Sequence, residues 1–326
     1  MRKHPLDQTI ALMRRLLPLT LLIAVLAPKA ADAQYINQKA LAEILTPCGP
    51  KVMSLPEVNY EYFVMYSSRG NSVLARNTFY KVIGDGNLTV GRRRAKLVGM
   101  LNRTLIERSS VGDTLVIPSR FDLEFCAYAP FPKYYEGGAK FDKLFVIDKS
   151  VQAWAAYQNG RLARWGIVNT GGEITPTPNG RFNFNWKTEY RVSSMSPPGE
   201  RWEMYWVFNF VEERGIHIHQ YPMPTGGPSS HGCVRLVEED AKWIYDWADS
   251  WRTTAGSGMV NSSSVRIIEP GTTVLVLGTD PVGEPEPFIE RARFPILRRV
   301  RLPGSPYDIA PGTSQQRMFD RVRSGQ

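Results

Sequence analysis

From about residue 144 the apolar positions come in short runs at regular spacing: Leu144 to Asp148, Ala153 to Tyr157, Arg161 to Val168 and Gly180 to Trp186. Asp-Lys-Ser, Gln-Asn-Gly, Thr-Gly-Gly and Thr-Pro-Thr-Pro-Asn-Gly separate them, and short strands broken by such turns predict a β-sandwich or barrel. Asn159-Gly160 suits a two-residue hairpin turn, because both residues tolerate positive φ. Further strands are expected at Met204 to Phe210, Gly215 to His219 and Thr272 to Leu277. Between them Val237 to Trp251 has helical spacing. Ala241, Ile244, Ala248 and Trp251 share one face, and Glu238, Glu239 and Asp240 sit in the first turn, where the helix dipole favours negative charge.

The preceding stretch, 34 to about 138, has a different pattern. Tyr60 to Tyr66 runs into Ser67-Ser68-Arg69-Gly70-Asn71, and Val111-Gly112-Asp113 precedes Thr114 to Ile117, which predicts a small mixed α/β domain. Leu101 to Pro118 resembles the end of a LysM glycan-binding repeat; the plainer reading is a helix, a turn and a strand. After Gly278 the chain is proline-rich and basic without lasting periodicity, an extended tail or surface wrap over 280–326.

Residues 1–33 follow a third pattern. Arg2, Lys3, Arg14 and Arg15 precede the apolar run Leu16 to Ala27, and Ala31-Asp32-Ala33 closes it, the order of a secretory signal peptide. The alternative is an uncleaved amphipathic anchor. The run is short for a bilayer span, and no later segment reaches the roughly 20 apolar residues required, so no stable membrane span is expected. The chain of 326 residues carries a formal charge of +9, which would suit nucleic acid, anionic lipid or an acidic polymer. Export sets nucleic acid aside and predicts a periplasmic or cell-envelope protein. It also places Cys48, Cys126 and Cys233 where disulfides persist. An odd count leaves one thiol over; the simplest pairing is Cys48 with Cys126, the alternative being three reduced cysteines.

Chemistry concentrates at Ser229-Ser230-His231-Gly232-Cys233-Val234-Arg235-Leu236, between a predicted strand and a predicted helix. A thiol is only weakly ionised at neutral pH, so a nucleophilic Cys233 needs an imidazole to take its proton, and the resulting ion pair would raise the thiolate fraction. Of four histidines, His217, His219 and His231 all lie within 16 residues of Cys233. His217 and His219 share one strand face, with Ile216 and Ile218 on the other. Zinc held by three histidines and a cysteine is the competing reading. No second short-spaced ligand pair supports it.

The segment from about Lys140 to Gly278 resembles the L,D-transpeptidase catalytic domain of bacterial cell-wall enzymes. The carriers are "FDKLFVIDKSVQAWAAYQNGRLARWGIVNTGG" from Phe141 to Gly172, then "TPTPNGRF", then "SSHGCVRL" with a histidine upstream. The resemblance implies a mainly β protein with helices, an L,D-transpeptidase-type β-sandwich over 139–279 preceded by a small α/β domain. It implies that Cys233 attacks an L-centre-to-D-centre bond of a peptidoglycan stem peptide, releases the terminal D-residue and holds a thioester for a second stem's amine. No metal or cofactor is expected. The N–H groups of Gly232 and Cys233 would stabilise the oxyanion, His231 would shape the turn, and Arg235, Ser230 and Tyr221 would contact substrate. A glycine-isoleucine-glycine-methionine-histidine run in shorter-loop members aligns with Gly215 to His219, which favours His219 as base over His217, oriented by the Gln220 carbonyl. L,D-carboxypeptidase action, with water as acceptor, and a non-catalytic wall-binding protein of the same fold are the alternatives.

Overall fold

The computed structural model describes residues 35–223, 227–259, 265–281, 289–290, 296–297 and 299–324. The expected leader, 1–33, and part of the expected tail lie outside the described residues.

In chain order the elements are α1 (Gln38–Leu41), β1 (Tyr60–Val64), α2 (Ser72–Ile83), α3 (Leu88–Asn102), β2 (Thr114–Pro118), β3 (Lys143–Asp148), β4 (Ala153–Gln158), β5 (Arg161–Ile167), β6 (Gly180–Asn183), β7 (Lys187–Val192), β8 (Glu203–Val211), β9 (Ile216–Gln220), β10 (Val234–Leu236), α4 (Glu238–Trp247), β11 (Arg252–Thr253), β12 (Ile267–Glu269), β13 (Thr273–Leu277), β14 (Ile289–Glu290), β15 (Ile296–Leu297) and α5 (Ser314–Ser324). Strands dominate, as the turn spacing predicted. A five-stranded sheet in the order β5-β4-β3-β13-β6 packs against a four-stranded sheet in the order β10-β9-β8-β7. Most pairings are antiparallel; β13 with β3 and β10 with β9 are parallel.

Side-chain alternation explains both cores. Phe145, Ile147, Trp154 and Ala156 point into the space between the sheets and meet Phe208, Phe210, Ile216, Ile218 and the α4 residues Ala241 and Ile244. Leu144, Val146, Ala155 and Tyr157 point the other way and meet Leu41, Leu45, Leu97, Leu101 and Phe125 of the N-terminal segment. With both faces covered, these strands read as continuous apolar runs rather than half-polar ones. From Tyr35 onward the chain is one compact unit. The N-terminal segment has a core of its own, in which antiparallel β1 and β2 carry α2 and α3. Asn71 and Asn87 cap those helices by accepting N–H bonds from their first turns. A disulfide joins Cys48 to Cys126, as the simplest pairing anticipated.

Two expectations need correcting. The α4 helix stops at Trp247, four residues short of Trp251. Thr272 and Asn185 take the backbone of Asp249 and Trp251, and the Trp251 ring packs on Trp186, Met204 and Val207, so tertiary bonds outcompete another helical turn. The tail is also more ordered than an extended wrap, since it ends in α5, held by an Arg181–Asp320 ion pair at 2.6 Å. Among the described residues no helix is long and apolar enough to cross a membrane.

Candidate active site

The parallel pairing of β9 with β10 sets Val234 beside Ile218 and Arg235 beside His219. One step back along both strands brings Cys233 level with His217. Ile216, Ile218, Val234 and Leu236 go into the core. His217, His219, Cys233 and Arg235 line a cleft of about 300 Å³. Its other wall comes from the β7–β8 hairpin, with Arg191, Trp202 and Met204.

The Cys233 Sγ lies 3.8 Å from His217 Nδ1, within hydrogen-bonding reach for sulfur. The expectation favoured His219, and the contact goes instead to His217. A two-residue period puts both rings on one face; only the register against β10 separates them. His219 makes a different bond, from Nδ1 to the Gln220 carbonyl at 2.9 Å. A carbonyl only accepts, so the proton sits on Nδ1 and Nε2 is left as an acceptor. The Gln220 carbonyl thus orients a histidine as anticipated, but the ring that touches the thiol is the other one. His217 Nε2 is buried without a hydrogen-bond partner among the described residues, and the Trp186 ring stands edge-on at 5.2 Å.

Burial keeps both imidazoles neutral. It pushes His217 down to about 3, with His219 and Arg191 adding to the effect. Burial also takes His219 down to about 4, against the Gln220 bond. The Cys233 thiol is raised by burial, which outweighs the lowering by the His217 backbone and by Arg235. The resting pair is therefore thiol and neutral imidazole rather than the expected ion pair, because desolvation penalises both charged forms.

The motif residues divide by what they touch. Ser230 Oγ accepts the Gly232 N–H at 3.1 Å and donates to the Cys233 carbonyl. These bonds tie it into the turn while it still lines the cleft, and it occupies one of the two expected oxyanion donors. Gly232 has φ +110°, a conformation that glycine adopts freely. His231 stacks on Trp202 at 5.2 Å and forms part of the cleft wall. Arg235 lies over the Tyr221 ring at 4.7 Å, and Tyr221 stands edge-on to His219. Arg235 has no carboxylate partner among the described residues, whereas Arg191 acts on the Glu212 carboxyl and pulls its pKa down against burial, so the positive charge free for an anionic ligand is that of Arg235. Among the described residues no group of three or more His, Cys, Asp or Glu side chains is arranged to hold a metal ion.

Sequence reasoning missed Arg191, Trp186 and Trp202, which reach the site from a distant hairpin and carried no local signal. It also missed the chain segment behind the motif. Thr170 O accepts from Ser229 and Ser230 N–H, Gly172 N–H donates to Ser230 O, and Asn169 bridges to Arg235. Here a signal existed, in the Thr-Gly-Gly and Thr-Pro-Thr-Pro-Asn-Gly turns.

Residues 142–276 match the family model of the L,D-transpeptidase catalytic domain. This segment belongs to that family. Among curated proteins, L,D-transpeptidase 2 of Mycobacterium tuberculosis is 24% identical over 115 residues, 32% of this chain and 28% of that protein's length. Among solved structures, the L,D-transpeptidase of Stackebrandtia nassauensis is 21% identical, covering 75% of this chain and 92% of that one at a TM-score of 0.34. L,D-transpeptidase 3 of Mycobacterium tuberculosis, solved with a faropenem-derived adduct, is 17% identical over 51% of this chain and 74% of that one, with a TM-score of 0.31. Within the L,D-transpeptidase domain the cleft sits on the strand pair β9–β10 and is walled by the β7–β8 hairpin.

Proposed function

We propose that this protein is an exported L,D-transpeptidase that cross-links peptidoglycan stem peptides through a Cys233 thioester. The observation that carries the reading is the Cys233 Sγ–His217 Nδ1 contact at 3.8 Å, inside a cleft that Arg191 and Arg235 also line. The leader-like residues 1–33 support export to the periplasm or cell envelope, and so does the Cys48–Cys126 disulfide, a bond that persists in oxidising compartments.

In this reading the thiol proton passes to His217 Nδ1 as Sγ bonds to the carbonyl carbon at the L-centre, and the C=O π pair moves to oxygen. Collapse of that oxyanion re-forms C=O and breaks the C–N bond. The imidazolium returns its proton to the leaving nitrogen, and the D-amino acid departs. The neutral imidazole then takes a proton from the amine of a second stem as it attacks the thioester, the C–S bond breaks, and the thiol is restored. In this reading Arg235, which lines the cleft, receives a carboxylate of the donor.

The test is mass spectrometry of isolated wall peptides after incubation with the protein lacking residues 1–33. Cross-linked dimers with loss of one D-residue are expected, and Cys233→Ser should yield none. Trimmed peptides without dimers would mean carboxypeptidase action. No change in any peptide would sink the enzymatic reading in favour of a binding protein.

A further inference from the structure

Thr177 lies outside the cleft and is completely buried, yet it bonds to the peptide unit that carries the nucleophile's N–H. Its Oγ1 accepts the Gly171 N–H at 2.9 Å and is 2.8 Å from the Gly232 carbonyl. A hydroxyl has a single proton; with Gly171 on the acceptor side, that proton is directed to Gly232 O.

The consequence follows from peptide geometry. In a trans peptide the C=O of one residue and the N–H of the next point in opposite directions. Holding Gly232 O against buried Thr177 therefore turns the Cys233 N–H away from the interior, toward the side where Sγ lines the cleft. The adjacent Gly232 N–H is already bonded to Ser230 Oγ. Among the described residues the Cys233 N–H has no acceptor.

Resting on the acyl-transfer reading above, we propose that Thr177 is a positioning residue that presents the Cys233 N–H as the oxyanion donor. Thr177 is itself anchored. Its carbonyl accepts from Lys149 Nζ at 3.0 Å, and Lys149 pairs with Asp280 at 2.8 Å, both side chains being largely buried. Packing leaves no slack, since a Cβ on Gly171 would stand 2.1 Å from Thr175 O and 2.9 Å from the Gly232 Cα. Valine at 177 would fill the same space with neither donor nor acceptor; serine would keep both.

Two reactions of the same thiol separate this role from a merely structural one. Acylation by imipenem passes through an oxyanion, whereas alkylation by iodoacetamide displaces iodide and forms none. In Thr177→Val the acylation rate, followed by intact mass, should fall about 10- to 100-fold, below the loss seen when an oxyanion donor is removed outright. The alkylation rate and its pH profile should stay at wild-type values, and Thr177→Ser should restore acylation. Equal acylation in Thr177→Val and wild type would overturn the proposal. So would a parallel fall in alkylation, or a Thr177→Ser variant as slow as the valine one. If Thr177→Val does not fold, Thr177→Ala carries the same comparison against Thr177→Ser. Because imipenem needs no stem peptide, failure of wall-peptide turnover in a wild type that imipenem acylates would count against the proposed function and leave this inference standing.

Discussion

Lowering the pH from 7 to 5 should destabilise the fold through the two cleft histidines that burial keeps neutral, His217 and His219. Both folded-state pKa values, about 3 for His217 and about 4 for His219, lie below the ordinary 6.5. The unfolded chain therefore binds protons that the folded one refuses. The stability this contributes is complete above pH 6.5, is lost as pH falls, and is exhausted near the folded values. At pH 5 the solution is 1.5 units below the ordinary imidazole value of 6.5, which the unfolded chain keeps; at 1.36 kcal/mol per unit each histidine accounts for about 2 kcal/mol. Together the loss is about 4 kcal/mol, a large share of the usual 5–15 kcal/mol. Buried Asp240 works in the opposite direction. Its carboxyl is raised to about 6, mainly by burial, so acid relieves a penalty of about 1 kcal/mol between pH 7 and 5. The measurement is urea unfolding of oxidised protein at pH 7 and 5, for wild type and for His217→Gln with His219→Gln. The wild type should lose about 4 kcal/mol more than the double variant on acidification. Equal losses would refute the claim that burial holds these rings neutral.

His217→Ala should cut acylation by roughly 10²- to 10⁴-fold, the contribution of a general base, and His219→Ala by less; imipenem acylation rates compare them, and the reverse order would return the base to His219. Gly232→Ala should cost about 1–3 kcal/mol and slow acylation, because φ +110° strains any side-chain-bearing residue; denaturant midpoints and intact-mass kinetics report both, and a neutral result would show that the turn relaxes. Replacing Cys48 and Cys126 by serine opens a loop with a sequence separation of 78 and should cost about 4 kcal/mol or less in unfolding free energy, with alkylation of Cys233 unchanged; altered Cys233 reactivity would place the disulfide in the site's support.

Local patterns were enough for the elements that stand on a period or a turn. The runs at Leu144 to Asp148 and Ala153 to Tyr157, the Asn159-Gly160 hairpin and the two-faced strand of His217 and His219 are properties of neighbours in the chain, and the Ser-His-Gly-Cys run marked the thiol. What neighbours do not encode is which strand pairs with which, and at what register. The choice between His217 and His219 depends on β10 lying parallel to β9 with Arg235 against His219. The early end of α4 depends on Thr272 and Asn185 reaching residues 249–251. The resting protonation of the thiol pair depends on how completely the sheets and the hairpin desolvate it, because burial acts on a charge through everything packed around it. Thr177 stands in a turn visible in the sequence, but its bond to Gly232 spans 55 residues and exists only because the chain folds back to bring that turn beneath the nucleophile.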